Sequence, residues 1–409
     1  MKRLLLTLAA ALLLGACGSP QPPATTTPAP SATPAPQPTA TPAPQGEFIP
    51  ETPPALLRLP APLYLRELGQ IARIERDGKT RKLLTDETIE IAGFPPIADF
   101  ALSPLGTMAY VVGDRERDRL VVADARGEGA RILYAEVGHE LSDLLFTPDG
   151  ESILLRLLNN REPPDIPGGL YRVPVTGGPL ELVLADDPVD DPVNPARTVS
   201  GYAPFAFSPA GDQLLVEVRS LFYEDCILGV MPAAGGDVLR ITVPETEQVY
   251  CGEAAWAADG SAILFLAGPK EGNDAGPQLW RADAATAAAA PLLAPGTFAR
   301  APTGLPGGVT RFFLATVERD AAGMITGASF APAELGPQDT EATTIGPAFT
   351  DQLFDVLWAP DGTGAVLEVG PPGIKSLLRW LPLGGESGAA EIELPSAEDS
   401  VGEMFWGLE

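Results

Sequence analysis

The sequence predicts an all-β chain folded as a β-propeller, with seven four-stranded blades favoured over six or eight. Three observations predict it. A turn motif set between two apolar runs recurs along the chain, a second hairpin follows each copy, and the two ends of the repeat region each hold part of a unit.

The clearest copy is "FAFSPAGDQLLVE", Phe205 to Glu217. Others are "FALSPLGTMAYVV" from Phe100, "LLFTPDGESILLR" from Leu144, "AAWAADGSAILFL" from Ala254 and "VLWAPDGTGAVLE" from Val356, with a weaker "TGLPGGVTRFFLA" from Thr303. The aligned glycines, Gly106, Gly150, Gly211, Gly260, Gly308 and Gly362, are 44 to 61 residues apart. A period of that size with several short strands indicates propeller blades rather than a helical solenoid. Within the motif, Pro presets φ at the second turn position, Asp bonds its own backbone, and Gly takes the positive φ that closes the hairpin. The flanking runs are β-prone and apolar on both faces, as strands packed between neighbouring blades must be.

A second hairpin with its own turn follows each copy, as in "GLYRVPVTGGPLELVL" and "ILGVMPAAGGDVLRIT". Each unit therefore supplies four strands, A to D. At the front of the region, Pro62 to Leu84 reads as strands B, C and D without an A strand. At the end, "VGEMFWGLE" reads as an A strand with nothing after it. Joining them completes a seventh blade and closes the ring, which buries edges that would otherwise template aggregation.

The pattern of an apolar residue, Ser or Thr, Pro-Asp-Gly, and then a downstream Gly-Gly turn resembles the WD40-like (PD40) repeat of TolB-type β-propellers. Similar blades form the propellers of prolyl-oligopeptidase-type enzymes. The resemblance covers nearly all of the chain after residue 50; it implies the fold and is almost silent on function. The sequence lacks a counterpart of the separate α/β domain of the TolB type and of the peptidases' hydrolase domain.

The first residues are expected to be a leader. Lys2 and Arg3 precede the apolar run Leu4 to Leu14, which is too short to span a bilayer and ends in small residues. Leu14-Gly15-Ala16-Cys17 resembles a bacterial lipobox, which implies cleavage before Cys17 and a diacylglycerol on its thiol. The expected organisation is a signal peptide over 1–16, a lipidated Cys17 with a Pro/Thr/Ala-rich tether over 17–50, and the propeller over 51–409. The tether cannot bury apolar surface and favours polyproline II, reaching up to roughly 80 Å at ~3.1 Å per residue. The expected address is the outer face of the cytoplasmic membrane or an outer membrane. In an exported chain, the remaining pair Cys226 and Cys251 is expected to form a disulfide.

The formal net charge of −27 argues against nucleic acid as a partner. His139 is the only histidine, so no His follows a candidate Ser in hydrolase order, and there is no G-x-S-x-G, H-E-x-x-H, P-loop or Cys/His zinc cluster. Binding is expected on the face carrying the long B–C and D–A loops, since specific function usually resides on irregular loops of a rigid scaffold. The candidate residues there are Arg115, Arg117, Arg161, Asp165, Phe222, Tyr223, Asp225, Lys270 and Asn273. Asp186, Asp187, Asp190 and Asp191 could offer oxygens to Ca²⁺, although they lack EF-hand spacing; no other metal and no cofactor is expected. The expected function is a monomeric module binding an envelope protein or polysaccharide. The alternative is a propeller hydrolase or lyase acting on glycans through carboxylates near the central channel.

Overall fold

Each copy of the turn motif closes a hairpin, and Gly106, Gly150, Gly211, Gly260 and Gly362 each donate their N–H to the carbonyl three residues earlier. In "SPAG" the Gly211 N–H returns to the Ser208 carbonyl at 2.8 Å, while the Ser208 hydroxyl accepts the Gln213 N–H and donates to Asp212. Gly150 repeats the first bond to Thr147 at φ +70°, a backbone region that an L side chain enters only with strain. The turns also touch one another around the molecule. A Cβ on Gly150 would lie 2.9 Å from the Leu105 side chain of the preceding turn, and one on Gly211 would lie 3.1 Å from Pro148. A side chain from one blade's turn thus packs onto the turn glycine of the next.

The computed structural model describes residues 58–88, 96–113, 117–161, 164–188, 199–220, 226–270, 276–321, 325–370, 376–383, 392–396 and 401–407. The leader, Cys17 and the tether lie outside them. Apart from one 3-10 turn at Pro306–Gly308, the regular structure of these residues is strand. Among them no helix is long and apolar enough to cross a membrane.

The strands pair into antiparallel units of four, numbered here as blades and given from the inner strand outward. Blade 1 is Val401–Trp406, Leu63–Glu67, Gln70–Ile74 and Arg81–Leu83. Blade 2 is Ile97–Leu102, Thr107–Val112, Arg119–Asp124 and Arg131–Ala135, and blade 3 is His139–Phe146, Ser152–Asn159, Gly169–Pro174 and Glu181–Ala185. Blade 4 is Val199–Phe207, Gln213–Ser220, Cys226–Pro232 and Leu239–Arg240, with Asp187–Pro188 paired to its inner strand. Blade 5 is Glu247–Trp256, Ala262–Pro269, Gln278–Asp283 and Ala289–Pro291. Blade 6 is Phe298–Leu305, Val309–Arg319, Ile325–Leu335 and Thr343–Thr344. Blade 7 is Gln352–Trp358, Gly364–Gly370, Leu377–Pro382 and Ile392–Leu394. Blades 4 and 5 share one continuous ladder through the pairing of Cys226 with Val249.

The apolar core is divided among the junctions between these units. Tyr64, Ile71, Phe100 and Tyr110 fill the space between blades 1 and 2, and Leu141, Ile153 and Val111 the space between 2 and 3. Leu63 and Met404 meet Val366 and Trp380 between blades 7 and 1, so the last strand and the first packed strand share a core with the blade before them. The C-terminal strand pairs antiparallel with Leu63–Glu67, and Trp406 donates its indole N–H to the Trp358 carbonyl at 2.8 Å. The second strands are largely buried, Ala262–Pro269 and Gly364–Gly370 most fully, whereas Val309–Arg319 of blade 6 is buried only at Thr310, Phe312 and Phe313.

The sequence expectation that these second strands are apolar on both faces needs one correction. Arg156, Glu217 and Glu368 end three of the motif copies, six residues after the turn glycine, and all three are buried. The Arg156 guanidinium crosses to blade 4 and occupies the place a side chain on residue 201 would take, about 2 Å from an ideal Cβ, so a larger residue at Gly201 would have to displace it.

Candidate functional site

Every inner strand is bulged against its second strand. The register shifts beside Asp99, Asp143, Phe205, Ala301 and Phe354, at Gly402–Glu403, and over a longer stretch between Val249 and Ala254. A bulge leaves backbone N–H groups without a ladder partner and re-aims the side chains beside it. The residues that answer this recur in the sequence. Asp99, Asp143, Glu253, Asp355 and Glu403 each stand three residues before the apolar residue that ends the inner strand, namely Leu102, Phe146, Trp256, Trp358 and Trp406; blades 4 and 6 have Pro204 and Pro302 there.

Most of these acids are engaged between blades. Asp99 accepts the Leu144 N–H at 2.8 Å, and Glu253 accepts the Ala301 N–H at 2.8 Å, each on the next blade's bulge. In blade 4, where Pro204 replaces the acid, buried Glu217 reaches from the second strand and accepts the Gly252 N–H at 2.6 Å. Arg66 pairs with Glu403 at 2.5 Å, and Arg219 bridges Glu217 at 2.5 Å and Asp143 at 3.0 Å. Burial, and then the neighbouring carboxylates Glu403 and Asp143, push Asp99 up to about 7, against the opposing pull of the Leu144 N–H. Tryptophans stitch the same strands together: Trp256 donates to Ala206 O at 3.1 Å and Trp358 to Ala301 O at 2.8 Å.

An open cavity of ≈ 360 Å³ lies along the inner strands of blades 5, 6 and 7. Glu253 and Arg300 line it as an ion pair at 2.5 Å, and the Arg300 guanidinium also donates to the carbonyls of Leu353 and Phe354 at 3.3 and 3.4 Å. Phe354, the bulged residue of blade 7, is 37% exposed, and Asp355 beside it is exposed. Trp358 closes the floor, stacked on Phe313 at 4.9 Å with Arg311 over its ring. Cys251 forms one wall.

Cys226 and Cys251 form the expected disulfide, with Cα atoms 5.6 Å apart. Cys251 sits within the inner strand of blade 5, in its bulge. Cys226 begins the third strand of blade 4 and lines a second cavity of ≈ 280 Å³ between blades 4 and 5, where Lys270 also stands. The bridge is therefore a wall common to two cavities. Glu217 approaches both sulfurs, but a disulfide offers no thiolate to a metal.

The expected face residues are distributed unevenly. Arg117, Asp165 and Lys270 are exposed. Arg161 and Asp165 clasp their own loop: Arg161 pairs with Asp165 and with Glu136, and donates from Nε to the Val137 carbonyl at 2.5 Å. Hydrogen bonds from Asn159 and then His139 hold Asp165 down to about 2. His139 is buried between the Tyr134 hydroxyl at 2.5 Å and Asp165 at 3.1 Å. Asp186 is the buried counter-ion of Arg156, with both contacts at 3.3 Å, and it accepts the Tyr202 N–H, so the calcium expectation loses this carboxylate to an ion pair. Arg115, Phe222, Tyr223, Asp225, Asn273, Asp190 and Asp191, and the side chain of Asp187, lie outside the described residues. Sequence reasoning missed Asp99, Asp143, Glu253, Arg300, Phe354, Asp355 and Glu403. The acid-x-x-apolar ending of the inner strands, aromatic in all but Leu102, stands just ahead of the turn motif and is the pattern that marks the five acids.

No protein-family model matches the sequence, and no curated protein matches it either. Among solved structures, the tricorn protease matches with a TM-score of 0.55 and 11% identity, covering 85% of this chain and 34% of that one. Puromycin hydrolase matches with a TM-score of 0.54 and 17% identity, covering 80% of this chain and 52% of that one. TolB from Acinetobacter baumannii matches with a TM-score of 0.45 and 19% identity, covering 82% and 78%. This chain thus spans about a third of the tricorn protease and half of puromycin hydrolase. At such identities the likeness is one of fold.

Proposed function

We propose that the chain is a lipid-anchored, seven-bladed propeller that binds a partner at the cell envelope, and that the partner contacts the channel mouth at blades 5–7. One observation carries this reading. The repeated inner-strand acids are consumed in holding the ring together, except at blade 7, where Asp355 and exposed Phe354 face an open cavity. An exposed aromatic beside a charged group in a concave site has the character of a binding hot spot. The cavity's other charged groups, Glu253 and Arg300, are paired with each other, which suits a rigid recognition surface better than proton transfer.

The test has two arms. Cys17→Ser is expected to move the protein from the membrane pellet to the soluble fraction, whereas an unlipidated protein would fractionate identically with either residue. Cross-linking in the native envelope should recover a discrete partner that Phe354→Ala loses; recovery unaffected by that change would place binding elsewhere.

A glycan-active enzyme is the second reading, and Asp99 favours it. A carboxyl group held up to about 7 beside Glu403 and Asp143 has the character of a general acid next to a second carboxylate. Turnover on a glycan panel that Asp99→Asn abolishes would support it over binding alone.

A further inference from the structure

We propose that the cavity at blades 5–7 takes the cationic side chain of a basic peptide, with Asp355 as counter-ion and Phe354 as the ring it lies against. This inference rests on the binding reading above and adds the chemistry of the partner.

Asp355 breaks the pattern of its own repeat. Asp99 and Glu253 hold the next blade's backbone, and Arg66 and Arg219 neutralise Glu403 and Asp143. Asp355 accepts only the N–H of its neighbour Val356, at 2.7 Å, and among the described residues no Lys or Arg pairs with it.

The neighbouring cation does not fill this role. The Arg300 guanidinium is taken up by Glu253 and by the carbonyls of Leu353 and Phe354. Along the cavity itself Glu253 and Asp355 outnumber Arg300. Carboxylates in excess along a concave site concentrate cations and exclude anions. Phe354 adds a π face, on which guanidinium groups stack. Pro302 and Val356 line the same cavity and suit the methylene stem of a long basic side chain, which a bare polyamine uses less well.

The test titrates a blocked Arg-Gly repeat peptide into the full chain purified in detergent, followed by calorimetry. Saturable one-site binding that weakens with salt is expected. Asp355→Asn should weaken it at least about tenfold, Asp355→Glu should retain it, and Phe354→Ala should weaken it several-fold. Glu181→Gln, on the exposed outer strand of blade 3, should leave it unchanged. Both site residues are exposed, and retention by Asp355→Glu separates loss of charge from loss of fold. No binding, equal binding by Asp355→Asn, or an equal loss with Glu181→Gln would overturn the proposal, as would spermidine binding as tightly as the peptide. If the peptide fails while a partner still cross-links at position 354, only the cationic chemistry is wrong; if neither binds there, the binding reading fails with it.

Discussion

Asp99 carries the most altered chemistry among the inner-strand acids, and its consequence for stability has a definite sign. Unfolded, its carboxyl titrates near about 4; folded, it is pushed up to about 7. Between those values the folded chain binds more protons than the unfolded chain, so this residue's contribution is complete below pH 4 and is lost as pH rises towards 7. Asp99→Asn keeps an oxygen for the Leu144 N–H and removes the titration. The melting temperature of the variant relative to the parent should therefore climb from pH 4 to pH 7 and then level, as thermal melts across that range would record; parallel curves would contradict the assignment. A turn glycine gives a second test. Gly150→Ala places a Cβ at φ +70° and against Leu105, and should cost roughly 1–2 kcal/mol by chemical denaturation. The turn glycines were legible because their φ requirement is local. The acids were visible as letters, but their work was not, since the N–H that Asp99 or Glu253 accepts belongs to the next blade's bulge. Asp186 was misread for a related reason: its partner Arg156 lies thirty residues earlier, on a strand that reads as apolar.

Hairpins and bridges connect these residues into units. The repeated turn was read as a way to reverse the chain, and it also forms a contact surface, with Leu105 on Gly150 and Pro148 on Gly211. That second use depends on blade spacing, which no single hairpin encodes. The Cys226–Cys251 pairing followed from cysteine number and compartment, whereas its place in a bulge did not, because bulges leave no period in the sequence. The disulfide joins blade 4 to the inner strand of blade 5 across a separation of 25 residues. Cys226→Ser with Cys251→Ser should lower stability by roughly 3 kcal/mol on the chain-entropy model. The same change loosens a wall of the blade 5–7 cavity, so peptide affinity should fall with it. Denaturation matched to the reduced parent would argue that the bridge contributes nothing.

Ring closure is the property of the whole molecule on which the site depends. The C-terminal strand brings Met404 into the core between blades 7 and 1, and Trp406 ties that strand to Trp358, the floor of the cavity. Removing residues from Val401 onward should expose the edge of Leu63–Glu67, collapse thermal stability and abolish binding; a truncation melting like the full chain would count against closure. The unmatched ends of the repeat were enough to anticipate this pairing, because strand count is additive along a chain. The location of the site was not, since it is defined by which repeated acid bonds only its own chain neighbour among the described residues once the ring is shut. The central claim is that a partner enters at blade 7 and not at the repeated turns that join the first and second strands. A photoreactive phenylalanine analogue at position 354, irradiated in the native envelope, tests it most directly, with the same group at position 151 beside a turn as the control. A discrete adduct from 354 and none from 151 is predicted; adducts from 151 alone, or equally from both, would contradict it.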